Sequence, residues 1–128
     1  MIKSFEDLIV WQKSRLLNQK IYMITSKFPA SERSNLTSQL RRASVSVSAN
    51  IAEGFGRYHS QESMQFYRTA RGSLLEIRSH LYICLDQKYM DKVQLNEAIS
   101  LIEEVSKMLS GLIKQTKNYR LNKLSSDN

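Results

Sequence analysis

LRRASVSVSANIAEGFGR, residues Leu40 to Arg57, is the stretch whose reading decides the fold. Two arginines open it, ten uncharged residues follow from Ala43 to Ala52, and Glu53-Gly54 with Gly56 close it. The alternation Val45-Ser46-Val47-Ser48 has the period of a short strand. At 3.6 residues per turn, however, Leu36, Leu40, Ala43, Val47, Ile51 and Gly54 share one face, and that register runs past the alternation at both ends. The stretch is therefore a helix.

Its back carries little charge. Val45, Ala49, Ala52 and Gly56 lie opposite the stripe, and all are small or apolar. A surface helix of a monomeric bundle places charge there. Arg42, Ser46, Asn50 and Glu53 form a polar seam beside the core stripe. A helix apolar on one face and small on the other has neighbours on both sides, so the expectation is an oligomer in which Arg41, Arg42, Val45, Ala49, Asn50, Ala52, Glu53 and Gly56 form the interface or a structural polar network.

Outward from this helix the same periodicity recurs three times. Val10, Leu17, Ile21, Ile24 and Phe28 mark a first helix at about 5–27, with Ser14 filling one gap, Ser4 as cap and Pro29 as stop. The central helix spans about 34–55 from a Ser31 or Ser34 cap, and Gly54 or Gly56 ends it in a left-handed conformation. Ser63, Tyr67, Ala70, Leu74, Ile77, Leu81 and Cys84 set a third helix at about 60–88, capped by Ser60. Asp91 and Gln94 form a capping box for a fourth at about 91–118, whose stripe is Leu95, Ile99, Ile102, Val105, Leu109, Ile113 and Thr116. Residues 119–128 are a tail, frayed from Leu124. Four amphipathic helices with short connections predict an all-α fold: an antiparallel up-down-up-down four-helix bundle, a single domain over residues 1–128.

Composition narrows the function. The chain has 128 residues, a net charge of +7, one cysteine and one proline. No apolar run suits a membrane span, the start lacks a signal-peptide core, and the lone Cys84 reads as a reduced core thiol. The expected location is cytoplasmic. Basic excess attracts polyanions, of which nucleic acid is the commonest. Arg68, Arg71 and Arg78 flank the third stripe, and Lys114, Lys117 and Arg120 follow an acid-free end of the fourth helix. These six are the candidate nucleic-acid-binding residues, and Tyr58 and Tyr119 are candidates for stacking on bases.

Catalytic patterns are missing. Glu76 and His80 make one Glu-to-His pair where a bundle metal site needs two. His59 and His80 have no nucleophile pattern around them, and Gly54-Phe55-Gly56 is a helix stop rather than a phosphate loop. The arginine-to-histidine spacings, Arg57 to His59 and Arg78 to His80, are too short for a HEPN-type ribonuclease. We expect no enzyme activity, no cofactor and no metal.

Gln39, Leu40, Arg41, Arg42, Ala43, Ser46, Val47, Asn50, Ile51, Ala52, Glu53 and Gly54 match a longer pattern, Q-L-R-R-A-x-x-S-[IV]-x-x-N-I-A-E-G. This resembles the hallmark of the four-helix-bundle proteins encoded within intervening sequences of bacterial 23S ribosomal RNA. Phe5, Leu8 and Trp11 match that family's opening, and Phe28-Pro29 with Glu32 its first turn. Such proteins resemble, in fold and assembly, the accessory subunit of diversity-generating retroelements, a basic pentameric barrel working with a reverse transcriptase and its RNA. The resemblance implies a homopentamer and RNA as the preferred nucleic acid. It also supplies the competing reading, a protein-interaction subunit such as a reverse-transcriptase accessory factor.

Overall fold

The computed structural model describes residues 1–126. Four α-helices account for most of them: α1 (Ile9–Thr25), α2 (Leu36–Phe55), α3 (Ser60–Asp86) and α4 (Lys92–Ser126). No strand occurs among the described residues. Each helix packs on its chain neighbours, and α4 closes the ring on α1.

Paired contacts show the directions. Lys20 meets Glu97 at 2.6 Å and Lys13 meets Glu104 at 3.2 Å, so seven residues back along α1 is seven forward along α4. Asn18 donates to Ser48 at 2.6 Å, while Arg41 Nε donates to Thr25 Oγ1 at 2.9 Å. On α3 and α4, Arg71 reaches Ser110 and Arg78 reaches Glu103. Ser46 stands beside Ser73, and Gly54 beside Tyr67, across α2 and α3. Every adjacent pair is antiparallel, which is the up-down-up-down arrangement.

The four stripes meet inside. Leu17, Ile21, Leu40, Val47, Ile51, Ala70, Ile77, Leu81, Cys84, Val105 and Leu109 are completely buried. Burying a side chain of this size contributes roughly 1.5–3 kcal/mol relative to exposure, so the interior is the main source of stability. Ser14 is buried among them because its hydroxyl donates to the Trp11 carbonyl at 2.7 Å and meets the Ser48 hydroxyl at 2.9 Å.

Several helix ends depart from the expected ones, each for a local reason. Residues Phe5–Asp7 form a 3-10 turn rather than the start of α1, because Asp7 folds back onto the amides of Lys3 and Ser4 at 2.9 and 3.2 Å. The chain then extends at Leu8 before α1 begins at Ile9. Another 3-10 turn, Ala30–Glu32, precedes α2, whose N-cap is Asn35 and not Ser31 or Ser34. Glu32 reaches forward to the Asn35 side chain and the Leu36 amide, taking the capping role.

Neither Gly54 nor Gly56 is left-handed. Gly54 lies inside α2, and Gly56 ends it at φ −80°, ψ −5°. The left-handed residue is Lys88, φ 63°, after α3 ends at Asp86 instead of at 88. Ser60 is the first residue of α3 and His59 its N-cap. The Asp91–Gln94 capping box forms in both directions, at 2.8 and 3.1 Å. Finally, α4 continues to Ser126, so most of the expected tail is helix; Asp127 and Asn128 lie outside the described residues.

Two buried acids of the interior are tuned by their surroundings. Burial pushes the Tyr67 phenol up to about 12. Burial, with the nearby Glu32 charge, pushes the Cys84 thiol up to about 11. Both groups are held neutral in the folded chain, so their contribution is complete below the unfolded pKa and is lost as pH rises towards the folded value. Between pH 9.5 and 11 the wild type should lose about 1 kcal/mol more stability than Tyr67→Phe, which cannot ionise there. Urea unfolding midpoints measured across that range check this; parallel pH profiles for the two proteins would refute it.

Candidate nucleic-acid interface

The third and fourth helices bring the candidate cations together. Arg71 Nη1 donates to Ser110 Oγ at 3.3 Å, and Arg78 pairs with Glu103 at 3.5 Å. These contacts show the register of α3 against α4. Arg68, one turn before Arg71, is thereby level with Lys114, one turn beyond Ser110. Two patches that are far apart in sequence form one seam.

A shallow cleft of about 610 Å³ opens along its upper part, lined by Leu75, Arg78, Glu103, Lys107 and Ser110 among others. Charge changes along its length. Glu97, Glu103 and Glu104 line the upper half of α4, and all three pair with cations of α1 or α3. Below Glu104 no acid follows on α4 through Ser126, whereas Lys107, Lys114, Lys117, Arg120 and Lys123 do. From Lys107 to Lys123 the helix rises about 24 Å. Among the described residues Arg68, Lys107, Lys114, Lys117 and Arg120 have no carboxylate partner.

The lower end of the seam has a geometry that sequence reasoning reached only as single residues. Lys13 opposite Glu104 puts Ile9 level with Met108, so the last turns of α4 run beyond the start of α1. There α4 passes the connection between α2 and α3. Tyr58, His59, Tyr119, Arg120 and Lys123 line a second cleft of about 470 Å³.

The α2 residues divide differently. Ser46 and Asn50 are half-buried: Asn50 Nδ2 donates to the Ser46 carbonyl at 2.8 Å and to its hydroxyl at 3.0 Å, and Ser46 meets Ser73 of α3. Glu53 is not part of that group. It is exposed and pairs with Arg57 at 3.3 Å, four residues on and just past the end of α2. Arg41 is held inside the chain by Thr25 and by the Tyr22 ring, 4.6 Å from its guanidinium. Arg42 is exposed and has no partner among the described residues. On the outer face Val45 is 47% exposed, Ala49 and Gly56 are exposed, and Ala52 is half-buried.

Of the residues with chemical potential, His80 is half-buried and its Nδ1 has no partner among the described residues. No group of three or more His, Cys, Asp or Glu suited to a metal occurs among the described residues. No helix there is long and apolar enough to cross a membrane.

An antiparallel four-helix bundle with a run of cations along one interhelical seam is the class that fold and surface define. The chain belongs to the 23S rRNA-intervening sequence protein family, whose model matches residues 6–111. It is also similar to a solved protein of unknown function from Bacteroides thetaiotaomicron, described as a member of the S23 ribosomal protein family. That likeness has a TM-score of 0.75 at 22% identity and covers 83% of this chain and 99% of the other. At that identity it speaks for the fold. No curated protein was found to match the chain.

Proposed function

We propose that this protein is a non-enzymatic, oligomeric nucleic-acid-binding protein of the cytoplasm, with RNA its preferred ligand. The observation that carries the reading is the continuous run of cations along the lower α3–α4 seam, with Arg68, Lys114, Lys117 and Arg120 unopposed by carboxylates. Cations spaced along a helix for about 24 Å suit a phosphate backbone. Backbone contacts position a nucleic acid without reading its sequence, so weak sequence preference is expected. Assembly multiplies the seam, and the small outer face of α2 is where copies would meet. The ring of five follows from the family resemblance.

Anisotropy of a labelled, structured RNA at two salt concentrations tests the reading. Changing Arg68, Arg71 and Arg78 to alanine, and separately Lys114, Lys117 and Arg120, should each weaken binding at least tenfold at low salt. Each should also flatten the dependence on salt by about 2–3 contacts. Unchanged binding in both variants, at wild-type mass, refutes the seam. A wild type that binds no RNA at low salt favours the protein-interaction subunit instead, such as a partner of a reverse transcriptase.

A further inference from the structure

Several aromatic rings elsewhere in the chain are engaged, although Tyr82 on α3 is 46% exposed. Phe5 packs on Trp11 at 5.0 Å, Phe28 on Tyr89 at 5.4 Å, and Tyr22 lies under Arg41. Tyr58 and Tyr119 behave differently. Tyr58 is 89% exposed, and its one ring pairing among the described residues is a T-shaped contact with His59, ring centres 5.0 Å apart. Tyr119 is 63% exposed, and neither hydroxyl has a protein partner among the described residues. They come from the α2–α3 connection and from α4, 61 residues apart in sequence, yet both line the same cleft, and Arg120 and Lys123 share its lining. Leaving two large rings in water has a cost that the chain itself does not recover.

We propose that this cleft binds an unpaired nucleotide of RNA, its base against Tyr58 and Tyr119 and its phosphates toward Arg120 and Lys123. The proposal rests on the nucleic-acid reading of the seam and adds the ligand's form: a single-stranded end or loop continuous with the backbone held along α3 and α4. Rings stack on a base whatever its identity, because every base has a π-face. A duplex keeps its bases inside and offers the cleft only phosphates. A partner protein would find charge here as well as rings, but the cations on the same lining favour a phosphate-bearing ligand.

The experiment compares a labelled ten-nucleotide single strand with a blunt duplex of the same length, using the full chain. Tyr58→Ala with Tyr119→Ala should weaken single-strand binding at least tenfold and leave duplex binding within twofold. Tyr58→Phe with Tyr119→Phe keeps the rings and should bind both as the wild type does. Equal loss on both RNAs, no loss on either, or loss of the wild-type mass in the alanine variant overturns the cleft assignment while leaving the seam standing. Wild-type protein that binds neither RNA removes both readings.

Discussion

Gly54→Val should lower the melting temperature by more than ten degrees, the largest loss expected from any single substitution at a glycine of this chain. A Cβ at Gly54 would lie 2.6 Å from Cε1 and 2.8 Å from Cδ1 of Tyr67, and 3.1 Å from Cβ of Phe66. Tyr67 is buried in the core and cannot swing into solvent, and Phe66 Cβ is fixed to the α3 backbone. The two helices would have to separate. Overpacking of this kind costs typically 1–3 kcal/mol for small additions, and the two further methyl groups of valine should take it to about 3 kcal/mol or more. Against this stands the gain of replacing glycine inside a helix, about 1 kcal/mol. For Gly54→Ala the clash should still win, by about 1 kcal/mol. Gly72 and Gly111 provide the opposite sign: both are helical and exposed, and a Cβ there meets nothing within 4 Å. Gly72→Ala and Gly111→Ala should therefore raise the melting temperature slightly. Circular-dichroism melts of all four variants check the contrast; a Gly54→Ala protein as stable as Gly72→Ala would refute it.

The role of Gly54 shows where sequence reading succeeds and where it stops. Its place on the buried stripe is legible, because Leu36, Leu40, Ala43, Val47, Ile51 and Gly54 repeat at helical spacing and all prove buried. Its reason is not. A glycine followed two residues later by another resembles a helix stop, whereas the cause is a ring on α3, thirteen residues away across a turn. The start of α1 has a similar explanation: Ser4, Glu6 and Asp7 suit a helix N-terminus, but the Asp7 carboxylate closes a separate 3-10 turn first. The end of α4 was hidden by polarity. Beyond Thr116 the apolar stripe fades, with residues 117–125 exposed except for half-buried Arg120, and the helix continues without it.

The cations were legible one by one. Their union was not, since it depends on the register in which the buried stripes of α3 and α4 pack, which contacts such as Arg78 with Glu103 reveal. The same holds for Glu53. Helical spacing places it beside Asn50, yet on the folded chain it turns outward to Arg57. Periodicity gives the face of a helix; which neighbour stands there belongs to the tertiary structure.

Ala49→Glu should convert the proposed oligomer to monomers with the helix content intact. Ala49 is exposed on the chain and lies between Val45 and Gly56 on the outer face of α2. In a single chain a glutamate there would meet water and cost almost nothing, since exposed substitutions usually stay within about 0.5 kcal/mol. Across a packed helix–helix contact the same carboxylate would be buried without a partner, a cost of several kcal/mol per ion. In a symmetric ring it recurs at every interface, so assembly should fail outright rather than weaken. Ala52→Glu is a poorer probe, because Ala52 is already half-buried against its own bundle and its loss of assembly would be mixed with loss of folding. Arg42→Ala offers a milder companion, since Arg42 has no partner among the described residues and would acquire one only from a neighbouring subunit. Light scattering gives the mass, and circular dichroism the helix content, of wild type and both variants. A wild type of about 15 kDa would end the oligomer proposal, and an Ala49→Glu protein that keeps the wild-type oligomeric mass would move the interface away from α2.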